Sequence, residues 1–155
     1  MVQPHAGGGD VDCSALVAGS TLSLPVAVPD AMLYVGDGHL SQGDGEVSGT
    51  AVACAVRCVL EVHLVESAPL ATLHAVTPSG RLTVGLSTNL NEAMTPALDD
   101  MVTWIQTLHG GSRSGARERC CRPAGHSSGG PSVGIHAVLP SNALRRDRGP
   151  AEAVH

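Results

Sequence analysis

Residues 36–46, Gly-Asp-Gly-His-Leu-Ser-Gln-Gly-Asp-Gly-Glu, gather five side chains able to bind a metal or move a proton: Asp37, His39, Gln42, Asp44 and Glu46. In an extended strand, residues two apart point the same way, so Asp37 and His39 share a face, as do Asp44 and Glu46. A turn near residues 40–43 would bring the two pairs together. The interleaved glycines give the backbone freedom for tight turns and for close approach of a ligand. Carboxylates and an imidazole converging on one point can hold a divalent ion, and zinc accepts both kinds of ligand. Such an ion acidifies a bound water and polarises a carbonyl. A neighbouring carboxylate can then shuttle the proton to a departing amine, which is the set of parts that amide hydrolysis needs. The same pattern also fits a hairpin turn whose carboxylates face water. A calcium loop does not fit, because the Asp-x-Asp-x-Asp-Gly arrangement is absent.

The elements that must position this segment read mainly as strands. Short β-rich runs at 21–24, 26–28 and 32–35 are punctuated by Pro25, Pro29 and Asp30, as at a sheet edge. Residues 56–65 alternate, with Leu60, Val62 and Leu64 opposite Glu61 and His63, which predicts a half-buried strand with His63 on its solvated face. Residues 81–86 and 133–139 carry further strand signatures. One helix is expected over 91–108, where Met94, Leu98, Met101, Ile105 and Leu108 line a single face as core residues, ending at Gly110-Gly111. Pro96 is costly inside a helix, so Thr95 is expected to cap it, with residues 90–94 as a separate turn. Residues 112–130 mix Arg, Cys, Ser and Gly without either period and are expected to be disordered or poorly packed. The fold class is therefore α+β and β-rich, with sandwich-like strands and one main carboxyl-terminal helix. Its boundaries are a single domain over 1–142 and a disordered, solvated tail over 143–155.

Composition narrows the function classes. The chain has 155 residues, enough to bury about 70% of its unfolded surface. It has no Phe, one Tyr and one Trp, so its core must be built from Val, Leu and Ala, each contributing little area. That thin core reads as a piece that leans on something else. A net charge of −5, with nine Arg and no Lys, offers no broad positive field, so nucleic acid is not an expected partner. No apolar run approaches the roughly 20 residues that span a bilayer, and the amino terminus lacks a secretory pattern. Five irregularly spaced Cys fit a reducing compartment, and a soluble cytoplasmic protein is expected. Cys54 and Cys58 read as core or edge thiols, and His136 as a hydrogen-bonded structural histidine with a role behind a metal ligand as the rival.

A long series of matches surrounds the chemical segment. The run Gly19 to Pro29, then Tyr34-Val35-Gly36-Asp37-Gly38-His39, Gln42 to Val47, and Gly49-Thr50-Ala51 resembles the acetamidase/formamidase family. The resemblance continues through Leu90-Asn91-Glu92-Ala93-Met94 and returns at Gly134-Ile135-His136-Ala137-Val138-Leu139-Pro140, covering about residues 8–110 and 130–142. It implies hydrolysis of short amides such as formamide or acetamide to carboxylate and ammonia, in a β-rich, oligomeric, metal-dependent cytoplasmic enzyme. Carried over by position, Asp37 and His39 become candidate ligands of a divalent metal, zinc first. Asp44 and Glu46 become ligands or proton-transfer groups, and Gln42 a group that orients the substrate amide.

Departures from the family pattern are equally specific. Family members are roughly twice this long, and an amino-terminal half that helps build the site is expected to be missing or supplied by a homo-oligomer. Asp30 stands where the family has Gly, a position Asp tolerates in a left-handed backbone. Ala53 stands where Glu is common. Between 112 and 130 the resemblance lapses where the family has a short helix and a strand. A locally shifted reading frame would account for this, since codons permitting Gly125-His126-Ser127-Ser128 can also read Asp-Ile-Arg-Val. The alternative to an amidase is a truncated, non-catalytic β-domain that binds metal or self-associates.

Overall fold

The computed structural model describes residues 4–46, 49–119, 123–129 and 132–143, with Asp44, Arg119 and 123–129 described by backbone alone. Strands β1 (Thr21–Ser23), β4 (His74–Thr77), β5 (Gly80–Ser87), β6 (Pro123–Gly129) and β7 (Ser132–Pro140) form a five-stranded sheet in the order β1-β4-β5-β7-β6, antiparallel throughout. Strands β2 (His39–Ser41) and β3 (Val52–Ala53) pair separately. Helices α1 (Leu90–His109) and α2 (Arg113–Arg119) complete a β-rich α+β fold with one main helix.

Side-chain alternation along β5 and β7 decides which layer goes where. Ile135, Ala137 and Leu139 of β7 pack with Ala93, Ala97, Met101, Val102 and Ile105 of α1 and with Ala116 of α2. Leu82 and Val84 of β5 point to the opposite face with Leu73 and Ala75, where Val11, Leu16 and Leu24 close over them. The sheet thus lies between the helices and an irregular amino-terminal segment. Thr83 faces the helix, and its buried hydroxyl donates to the Ala97 carbonyl at 2.6 Å. Gly85 lets α1 come down onto the sheet: a Cβ there would run into the Ala93 carbonyl oxygen. Trp104, the single tryptophan, is buried edge-on against His74, whose Nδ1 meets the Thr72 carbonyl at 2.7 Å.

Several expectations need correction. Helix α1 runs unbroken through Pro96, and its cap is Asn89, whose Oδ1 accepts from the Asn91 amide at 2.9 Å. Ala93 and Ala97, flush against β5, hold the turns on both sides of the proline, so the packing overrides its local cost. Residues 26–28, 32–35 and 56–65 form no strand. Their apolar side chains point outward, and no neighbouring edge pairs with them; His63 is solvated as expected, paired with Glu61 at 2.9 Å. Within 112–130, expected to be disordered or poorly packed, the described residues form α2 and β6. The open edge of β7 supplies the backbone pairing that strand propensity does not. Of the tail over 143–155 only Ala143 is described, packed against the helix–sheet cluster; the rest lies outside the described residues, as do Cys120 and Cys121.

The expected strands at 81–86 and 133–139 are present as β5 and β7, and Met101 is fully buried. No helix among the described residues is long and apolar enough to cross a membrane.

Candidate functional site

Two segments meet to make the site. The first is the stretch around Asp10-Val11-Asp12, held in place because Val11 packs against the Leu73, Ala75, Leu82 and Val84 cluster. The second is the glycine-rich run that enters β2. There Cys54 donates to the Gly38 carbonyl at 2.9 Å, and His39 stands opposite Ala53 across an irregular pairing. Beyond β2 the chain turns at Asp44–Glu46, closed by the Glu46 amide on the Gly43 carbonyl at 3.1 Å, with Gly45 at φ 68°. This turn lies against β6.

The carboxylates of Asp10, Asp12 and Asp37 offer ligand atoms all within 4.8 Å of one another. His39 stands beside them: its Nε2 is 3.1 Å from Asp37 Oδ1, and its Nδ1 is 2.8 Å from Gln42 Oε1. Gln42 in turn donates from Nε2 to the Asp12 carbonyl at 2.7 Å, which fastens the first segment to the second. The imidazole is only 11% exposed, whereas the Asp37 side chain is 70% exposed. One wall of the site is therefore packed and the other open.

Electrostatics follow from this crowding. Burial pushes the Asp12 carboxyl up, the negative charges of Asp10, Glu46 and Asp37 push it further, and His39 partly offsets them. His39 is raised first by its hydrogen bond to Gln42, against the effect of burial, and then by the charges of Asp37 and Glu46. Both groups hold protons more tightly than usual, Asp12 mainly through burial and His39 mainly through Gln42, with the neighbouring carboxylates adding to each. Backbone conformation carries a matching cost. Asp10, Asp12, Asp37 and Glu46 adopt φ of 54°, 42°, 61° and 46°, left-handed values that side chains other than glycine rarely take. Asp30 does the same at 55°, as its place in a glycine position anticipated.

Of the residues singled out from sequence, the structure brings Asp37, His39 and Gln42 into contact, and Glu46 close enough to act through its charge. The Asp44 side chain lies outside the described atoms. Asp10 and Asp12 were missed. Their signal was an Asp-x-Asp pair around an apolar residue just after Gly7-Gly8-Gly9, easily read as part of a polar loop.

Comparison with known proteins falls on this same region. The sequence profile of the acetamidase/formamidase family matches residues 1–79, half of the chain and all of the site. The chain belongs to the acetamidase/formamidase family. A Schizosaccharomyces pombe protein provisionally named a formamidase is 56% identical over 41 residues, 26% of this chain and 10% of that protein. A formamidase of Methylophilus methylotrophus and an acetamidase of Mycolicibacterium smegmatis are each 47% identical over 47 residues, 30% of this chain and 12% of theirs. These matches span only about a tenth of each relative. No solved structure matches the chain.

The donor set suits the divalent ion that the family resemblance implies. Three carboxylates and one imidazole are ligands that zinc and similar ions accept. The spacings among the three carboxylates, up to 4.8 Å, are compatible with two oxygens on opposite sides of one ion at bonds of about 2.0–2.4 Å. The excess negative charge at Asp12 is what a cation would neutralise. Ala53, where the family commonly has Glu, is the cross-strand neighbour of His39, so a carboxylate at that position would stand across from the imidazole.

Proposed function

We propose that the chain carries the metal-binding and proton-transfer part of an amide hydrolase of the acetamidase/formamidase type, acting on short amides such as formamide and acetamide. The observation that supports this most is the coincidence of the family match with the cluster of Asp10, Asp12 and Asp37, whose Asp37 is also in contact with His39. Asp10, Asp12, Asp37 and His39 would hold a divalent ion, zinc first, which when bound supplies an acidified water and a Lewis acid for the amide carbonyl. The chain's own residues supply the rest. Asp37, mostly exposed, presents the open side of the site to a small substrate. Glu46, beside the cluster on its turn, takes a proton from the attacking water and returns it to the leaving amine; Asp44 is the second candidate for that role. The packed side around His39 keeps the ligand geometry while the open side exchanges substrate and product.

The test is metal content together with ammonia release from formamide and acetamide, before and after chelation. Ammonia release that chelation abolishes and zinc restores is the expected result. Asp37→Asn should remove both zinc and turnover, and Glu46→Gln should remove turnover while leaving zinc bound. Retained metal binding without ammonia release supports a second reading: a non-catalytic, self-associating domain. The outward apolar side chains of Met32 (94% exposed), Tyr34 and Val59 favour that reading, because a surface of this kind tends to associate. Oligomer formation at micromolar concentration, measured by sedimentation, accompanies it.

A further inference from the structure

We propose that Gln42 is a positioning residue, which fixes the ring nitrogen that His39 turns toward Asp37 and ties the Asp10–Asp12 segment to β2, rather than a group that binds the substrate amide. The argument is one of donors and acceptors. Gln42 Nε2 lies 2.7 Å from the Asp12 backbone carbonyl, and a carbonyl oxygen only accepts, so the amide nitrogen must be at that end. The amide oxygen is then necessarily at the other end, 2.8 Å from His39 Nδ1. An amide oxygen carries no hydrogen, so Nδ1 must donate. In the neutral imidazole that leaves Nε2 without a proton, and Nε2 is the nitrogen 3.1 Å from Asp37 Oδ1. A bare nitrogen facing a carboxylate is a pair of acceptors with no donor between them, stable only with a proton or a cation shared there. The backbone of one segment therefore sets the tautomer of a ring on another, through one side chain engaged at both ends.

This inference deepens the proposed metal site and rests on it for its consequence: with Nδ1–H held by Gln42, the Nε2 lone pair is the one available as a ligand. The ring state can be read without reference to turnover. Long-range proton–nitrogen spectra of the full chain, free of metal and labelled at histidine nitrogens, report which nitrogen of each neutral ring is protonated. His39 is assigned by the signals lost in His39→Gln.

The expected result is an Nδ1–H tautomer in the wild type. In Gln42→Met, which is similar in length but can neither accept nor donate as the amide does, His39 should shift toward Nε2–H. Zinc affinity measured by calorimetry should then fall about 10- to 100-fold. Gln42→Glu keeps an acceptor for Nδ1–H and loses the donor to Asp12, so it should retain the wild-type tautomer. An Nε2–H tautomer in the wild type, or the same tautomer in wild type and Gln42→Met, overturns the proposal. If Gln42→Met does not fold, the wild-type spectrum and Gln42→Glu still decide it. If the wild type binds no zinc but shows the Nδ1–H tautomer lost in Gln42→Met, the positioning role stands and the metal reading falls.

Discussion

Residues 5–65 and 70–140 are built on opposite principles. The second region holds nearly every buried apolar side chain among the described residues, in two clusters on either face of one sheet. The first holds the site, three very short strands and most of the exposed large apolar side chains. Among the described residues, all five non-glycine residues with left-handed backbones are also there, and every one is acidic. Packing energy and chemical function are thus segregated: the scaffold is relaxed and ordinary, while the site carries strain and like-charge crowding that the scaffold must offset. Substitutions should therefore show large losses of stability in one region and, at selected positions in the other, gains.

Gly85→Val should have the largest effect. Its Cβ would occupy the space of the Ala93 carbonyl and press on the Ala97 amide, both main-chain atoms that cannot swing aside as a side-chain tip can. Separating α1 from β5 would open the core between helix and sheet, and a loss above about 4 kcal/mol, enough to unfold a marginal domain, is expected. Circular dichroism and a thermal melt would check it; a cooperative transition at the wild-type temperature would show that α1 does not bear on the sheet here. Met101→Ala is next, at about 2–5 kcal/mol, because the side chain is fully buried in the helix–sheet cluster and its truncation would leave a cavity there. Thr83→Val should cost about 1–2 kcal/mol: the shape is kept, but the Ala97 carbonyl loses the donor 2.6 Å away in a buried setting. Urea titrations of the two variants give their order.

Much of the scaffold was legible in the sequence because it obeys simple periods. Met101 and Ile105 of the α1 stripe meet the alternating side chains of β7 in one cluster, while Leu82 and Val84 of β5 alternate toward the other; Leu108, on the same helical stripe, is left exposed. Residues 56–65 alternate just as cleanly and form no strand, since the pattern says which side chains need cover and not whether a pairing edge exists. Pro96 and β6 err in the other direction. Both are cases where tertiary packing or an available edge outweighs a local preference that sequence reading must take at face value. In the site, Asp37 and His39 were visible as neighbours on one strand face. Asp10 and Asp12 reach them from about 25 positions away, through the anchoring of Val11 on the sheet and the Gln42 tether, and long-range meetings of that kind leave no period to read.

The smallest expected effect is also the sharpest test of the contrast, because its sign is opposite. In the metal-free protein the folded state raises the Asp12 carboxyl above its ordinary value of 3.8, through burial and the charges of Asp10, Glu46 and Asp37. A folded chain that binds this proton more tightly than the unfolded chain is penalised when the group ionises. The penalty is absent below pH 3.8, grows as pH rises through the window up to the raised value, and is complete above it. Asp12→Asn keeps the size and the tolerance for a left-handed backbone while removing the charge. With chelator present it should therefore be more stable than wild type at pH 7, and the two should converge as pH falls toward 4. Added zinc should reverse their order at pH 7, since wild type gains binding energy that the variant has lost a ligand to collect. Denaturant melts at both pH values, with chelator and with zinc, measure all four differences. A variant less stable than wild type in chelator at pH 7 would mean that Asp12 supports the fold as Met101 does, and the division between a strained site and a relaxed scaffold would fail at the residue where it is most exposed to test.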